Sequence, residues 1–159
     1  PLTCGMGRYF DAAAALLGIC STHNFQAEAP MKLESMVNED IKEAYDFGTG
    51  KMISLKPALD QMISDIEKSV NPWVMASKFD NTIIEASLFQ IRAQIRQYGI
   101  KKVALTGGCF QNARLLQGIG KALLKDACKV YVPAKVPVND GGIALGHLYV
   151  AAKKRALCV

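Results

Sequence analysis

The ten residues from Val103 to Asn112, VALTGGCFQN, join a short apolar run to two adjacent glycines and then to Phe-Gln-Asn. The apolar run reads as a buried strand, and ARLLQGIGKALLKDA, beginning at Ala113, reads as a helix. Next come KVYV from Lys129, a second strand, the connection PAKVPVNDGG from Pro133, and a second helix, IALGHLYVAAKKRAL, from Ile143. Strand, helix, strand and helix with short links predict a parallel sheet. In such a sheet ligands bind beyond the carboxyl ends of the strands, and glycine there lets a ligand approach the backbone. Gly107 and Gly108 therefore leave room for a flat base or a phosphate. Asn112 stands where it either caps the following helix or turns its amide toward a ligand. A tight turn that needs positive φ is written with the same letters, so the glycine pair alone leaves both readings open.

Two further loops repeat the pattern. Val138-Asn139-Asp140-Gly141-Gly142 places a carboxylate just ahead of a helix, where it is an N-cap or else a ligand for a hard cation or a ribose hydroxyl. Cys4-Gly5-Met6-Gly7 also opens onto a helix, RYFDAAAALL, which ends at Gly18 and would aim backbone N–H groups at an anion. Asp11, one turn into that helix, is placed to face the same site. Three Gly-bearing loops that each lead into a helix make a stronger case than any one of them.

Between these loops the chain reads as mostly helical. One helix is expected from about Glu28 to Tyr45, with Pro30 tolerated in its first turn, and KMISL from Lys51 alternates like a short strand. Pro57 starts a helix with Leu59, Met62, Ile63, Ile66 and Val70 on one face, and Asn71-Pro72 breaks or re-caps it. A long helix follows to Tyr98, its apolar residues recurring at three and four, and Gly99 ends it.

Composition narrows the class. A chain of 159 residues, 50% of them hydrophobic, fits one domain, and no apolar run is long enough to suggest a membrane span. The first residues, Pro1-Leu2-Thr3-Cys4, carry no signal-peptide pattern, so a soluble cytoplasmic protein is expected; a start at Pro just before motif sequence suggests a fragment. Five cysteines (Cys4, Cys20, Cys109, Cys128 and Cys158) form no C-x-x-C pair and read as reduced thiols, and Cys158 does not make a prenylation signal. The net charge of +5 is spread along helices; the run Lys153-Lys154-Arg155 sits where the last turn of a helix favours cations, so nucleic-acid binding is not expected.

CGMGRYFDAAAALLGI, AEAPMKLE, FDNTIIEA, VALTGGCFQNARLL and VPVNDGGIALGH follow one another in the order, and at about the spacings, of the C-terminal part of the HypF-type hydrogenase maturation carbamoyltransferases. This resemblance covers nearly the whole chain, and TGGCFQN and PVNDGGIALG are its most specific pieces. A looser similarity extends to the tRNA threonylcarbamoyl transferases and antibiotic carbamoyltransferases. The resemblance implies an α/β chain forming the C-terminal, ribonuclease-H-like half of an actin/sugar-kinase/Hsp70-type (ASKHA) fold, helix-rich with a small, mainly parallel sheet. It implies an activity that forms carbamoyl-adenylate from carbamoyl phosphate and ATP and passes the carbamoyl group to a cysteine of a partner protein during NiFe hydrogenase maturation.

Residue by residue, the resemblance assigns Gly107, Gly108, Asn112 and Glu34 to the nucleotide, and Gly5, Gly7 and Asp11 to a phosphate or carbamoyl loop. It makes Asp140 one ligand of a divalent metal whose histidine ligands lie upstream of residue 1. The chain departs from the family pattern at Thr3-Cys4-Gly5, at Gln26-Ala27-Glu28, at Asp80, where a His is usual, and at His147, where a Gln is common. The implied partners are the upstream half of the same enzyme and the maturation protein bearing the acceptor cysteine; helices left uncovered without that half would expose apolar surface, so self-association with a second copy is also expected. Two competing readings are a catalytically inactive binding or scaffold remnant of this fold and, on charge alone, a small RNA binder.

Overall fold

A computed structural model of the chain describes residues 5–50 and 52–156. Thr3, Cys4, Lys51 and Cys158, which figure in the reading above, lie outside the described residues.

The first helix, α1 (Met6–Leu16), buries Phe10, Ala13 and Ala14, a stripe spaced at three and four. It packs against α2 (Glu28–Ser35). α2 ends well short of the helix expected to run to Tyr45. Beyond it the backbone lies along α4 (Pro72–Tyr98), whose polar side chains take its hydrogen bonds. Asn38 N–H donates to Ser77 Oγ at 2.8 Å and Tyr45 N–H to Thr82 Oγ1 at 2.8 Å, while Asn81 Nδ2 donates to the carbonyls of Ile41 and Glu43. Periodicity in residues 36–45 is thus overridden by a tertiary hydrogen-bond seam, since every buried backbone group needs a partner wherever it finds one.

The strand expected at KMISL is not formed; its described part makes one antiparallel bridge, Ser54 to Gly48. α3 (Lys56–Glu67) carries Pro57 in its first turn, one residue after its start, and its buried residues are Ala58 and Met62, whereas Ile63 and Ile66 are exposed. α4 is capped by Asn71, whose side chain accepts from Trp73 N–H, and is stopped by Gly99 at φ +69°. It forms the central beam. Phe79, Ile83 and Ala86 are buried in the core, and the ring of Phe79 meets Phe10 edge-on at 5.6 Å.

β1 (Lys102–Ala104) and β2 (Lys129–Tyr131) pair in parallel, Val103 opposite Val130. Between them α5 (Ala113–Lys125) packs Leu115, Ile119 and Leu123 against α4 and β2. A strand–helix–strand crossover of this kind places the loop after β1 at the carboxyl end of the sheet. α6 (Ile143–Ala156) follows a 3₁₀ turn at Asp140–Gly142 and carries Lys153, Lys154 and Arg155 in its last turn. The observed architecture is the expected one, helix-rich with a small parallel sheet. No helix of the described residues is long and apolar enough to cross a membrane.

Candidate functional site

The two glycines after β1 have different jobs. Gly107 adopts φ +109°, a conformation L side chains rarely reach, and so makes the turn out of the strand. Gly108 begins a 3₁₀ turn, Gly108–Gln111, with ordinary φ, and a Cβ built on it would meet nothing within 4 Å. Its bare backbone faces open space. Asn112 ends this turn and caps α5: Oδ1 accepts from Leu115 N–H at 2.7 Å. With Oδ1 so committed, the amide nitrogen Nδ2 is held in one direction, and it is a buried donor with no acceptor in the protein.

Opposite stand the first turn of α1 and one side of α2. Gly7 and Arg8 from α1, Pro30, Met31 and Glu34 from α2, Gly108, Cys109 and Asn112 from the β1–α5 connection, and Asn139, Asp140 and Gly141 before α6 line one cavity of about 690 Å3. The three loop-to-helix junctions picked out in the sequence converge on this cavity. Gly7, Glu34, Gly108, Asn112 and Asp140 are in its wall; Gly5, Gly107 and Asp11 are not. Gly5 is the N-cap of α1, and its carbonyl accepts from Arg8 N–H at 3.0 Å.

Asp11 turns sideways instead of into the cavity. Its carboxylate sits 2.7 Å from Arg8 Nη2 and 3.6 Å from His23 Nε2. No N–H points along a hydrogen-bond direction at either of its oxygens, which are buried. Burial, with Asp11 nearby, pushes the Cys109 thiol up, so this cavity-lining cysteine stays protonated at neutral pH.

The loop before α6 shows two separate uses of glycine. Asn139, not Asp140, is its cap: Oδ1 accepts from Gly141 N–H at 3.1 Å. Gly142 is needed for packing, because a Cβ there would stand 2.6 Å from the Pro137 carbonyl oxygen. Asp140 is exposed. Among the described residues no group of three His, Cys, Asp or Glu side chains is placed to hold a metal ion, so Asp140 does not by itself make a cation site. A nucleotide, by contrast, suits what is present: an open backbone stretch at Gly108 and a directed amide donor at Asn112.

Behind the cavity wall lies a polar cluster that the sequence reading missed. Glu34 Oε1 accepts from Ala113 N–H at 2.8 Å, tying α2 to the first residue of α5. Arg114 Nε donates to Asp80 Oδ2 at 2.7 Å and Nη2 to Asn81 Oδ1 at 2.6 Å, tying α5 to α4. Asp80 is buried, and its other oxygen, Oδ1, has no donor. Burial pushes the Asp80 carboxyl above its ordinary pKa, and nearby Glu34 adds to this, while Arg114 opposes both. The signal was legible in principle: a cation in the first turn of a helix opposes the helix dipole, so Arg114 calls for a carboxylate partner.

Comparison with known proteins now adds a family. Residues 1–147 match the family profile described as "Carbamoyltransferase, Kae1-like Domain, second subdomain". The chain belongs to this carbamoyltransferase family. It is 32% identical over 161 residues to carbamoyltransferase HypF of Synechocystis sp., a match covering 98% of this chain and 20% of that protein. It is 36% identical over 156 residues to carbamoyltransferase HypF of Rhodobacter capsulatus, covering 97% and 20%. A crystal structure of full-length HypF in the phosphate- and nucleotide-bound form superposes with a TM-score of 0.88 at 37% identity, over 94% of this chain and 20% of that one. The chain thus spans about one fifth of the length of these relatives.

Proposed function

We propose that this chain is the nucleotide-binding C-terminal portion of a carbamoyltransferase that makes carbamoyl-adenylate from carbamoyl phosphate and ATP and passes the carbamoyl group to a cysteine of a hydrogenase maturation partner. The observation that carries this reading is the convergence of Gly7, Gly108, Asn112 and Asp140 from three junctions on one cavity. The likeness to a HypF structure bound to phosphate and nucleotide supports the same ligand class.

In this reading the first turn of α1 and the backbone at Gly108 receive anionic oxygens and the flat face of the nucleotide, while Asn112 Nδ2 donates to an acceptor on it. Transfer forms a bond from the acceptor sulfur to the carbamoyl carbon and breaks the bond to the adenylate oxygen, releasing AMP. Holding the nucleotide against backbone N–H groups stabilises the phosphate charge that grows as that bond breaks.

Reaction at useful rates calls for residues outside this chain. The exposed apolar residues of α6, Ile143, Leu145, Leu148, Tyr149 and Val150, support the upstream half of the same enzyme as the partner, a second copy of the chain being the alternative occupant. The same surface favours a second reading, a scaffold remnant that docks without binding nucleotide.

Thermal denaturation separates the two. A ligand at one hundred times its Kd stabilises the folded state by about 2.7 kcal/mol. For a chain of this length that corresponds to a rise in Tm of roughly 5–10 °C with ATP or ADP. No shift with either nucleotide up to millimolar concentration would favour the scaffold.

A further inference from the structure

A buried ion pair stands one layer behind the candidate cavity. Asp80 lies in the middle of α4, 1% exposed, in a helix face otherwise occupied by Ala76, Phe79 and Ile83. Its partner, Arg114, is in the first turn of α5, two residues beyond Asn112. Such a pair is a poor way to stabilise a core, since the desolvation of both charges offsets their attraction. Asp80 Oδ1 also lacks any donor, a further cost. The geometry nonetheless splits the guanidinium between two partners: Nε binds Asp80, Nη2 binds Asn81 at 2.6 Å, and Asn81 in turn holds the Ile41 and Glu43 carbonyls.

The consequence falls on α5. A helix packed only by Leu115, Ile119 and Leu123 is free to slide or roll by fractions of an ångström against α4, because apolar contacts are non-directional. The planar fork of Arg114 fixes both the rotation and the height of its first turn. Glu34 fixes it from the other side through Ala113 N–H. What is thereby placed is Asn112, one peptide link before Ala113, and through it the 3₁₀ turn that begins at Gly108; both line the cavity.

We infer that Asp80 is a positioning residue: through Arg114 it sets the α5 N-terminus, and with it Gly108 and Asn112, in the geometry that receives the ligand. The inference rests on the nucleotide reading only for its affinity readout. The pair's role is geometric, so affinity should follow the hydrogen bond while stability follows the charge balance.

Two variants of the chain separate these. Asp80→Leu combined with Arg114→Met removes both charges at similar volume; its Tm is expected to stay near wild type while ADP affinity, by calorimetry, falls at least tenfold. Asp80→Asn keeps an acceptor for Arg114 Nε but leaves the guanidinium uncompensated; its Tm is expected to fall while ADP affinity, measured well below that Tm, stays within threefold. Affinity that tracks Tm in both variants would overturn the inference, as would full affinity in the double variant. Amide hydrogen exchange at Ala113 and Leu115 gives a second readout without ligand. Faster exchange there in the double variant, at unchanged Tm, supports the positioning role even should wild type bind no ADP, and unchanged exchange there contradicts it.

Discussion

α4 and α6 are both rich in apolar residues, yet they lie at opposite extremes of packing. α4 buries Met75, Ala76, Phe79, Ile83, Ala86 and Leu88. It also uses Ser77, Asn81 and Thr82 to hold the segment after α2. Every residue of α6 from Ile143 through Arg155 is exposed: Leu148 is 68% exposed and Tyr149 64%. The lesson is that apolar content does not produce burial without a face for a helix to meet. A helix apolar on all sides fits inside a larger body, and α6 has that character up to Ala152, before its basic last turn.

The difference between the two helices makes quantitative expectations. The largest is for Phe79→Ala, which empties a fully buried site and should cost about 3–5 kcal/mol in denaturant unfolding. Leu148→Ala should cost less than about 0.5 kcal/mol in the same assay; an equal loss from both would mean that α6 packs in solution. Next is Thr82→Val, which strips the acceptor from Tyr45 N–H and should cost about 1–3 kcal/mol, sharpening the view that α4 stabilises its neighbour through polar groups as well. Asn71→Ala, removing the cap of α4, should cost about 1 kcal/mol.

The smallest effect concerns charge. On the packed side Glu28 is buried against Lys32 Nζ at 2.7 Å and Asn24 N–H at 2.6 Å, and these partners, Lys32 first, hold its carboxyl down at about 2 from the usual 4.5. A lowered value means the stabilisation is complete above 4.5 and is lost as pH falls through about 2. The Tm gap between wild type and Glu28→Gln should therefore be widest near neutrality and close across that window. A gap that does not change with pH would show that Glu28 is not held this way.

How much of this was legible from the sequence differs by element. α1, α4, α5 and the β1–α5–β2 crossover follow from local rules: capping by Asn71 and Asn112, stops at Gly18 and Gly99, and unbroken three-and-four periodicity. The excess length expected for α2 came from treating Met36, Val37 and Ile41 as a helix face. The backbone of Asn38 and Ile41 is instead engaged by side chains of α4 about forty residues away in sequence, which no local rule sees. Around the cavity, Gly7, Gly108 and Asn112 were readable because they sit at junctions, whereas Gly5 and Gly107, at the same junctions, are not in its wall. Asp11 was not, since its orientation depends on Arg8 and His23, and the Asp80–Arg114 pair appears only when α4 and α5 are brought together.

The central claim is that the bare backbone at Gly108 admits a nucleotide. Isothermal titration of ADP into the wild-type chain and into Gly108→Phe tests it most directly, with Tm of each as the control for folding. One site per chain for wild type, and a loss of at least tenfold in affinity for the variant at matched Tm, are the predicted results. No heat from the wild-type chain, or equal affinity in both, would contradict the account.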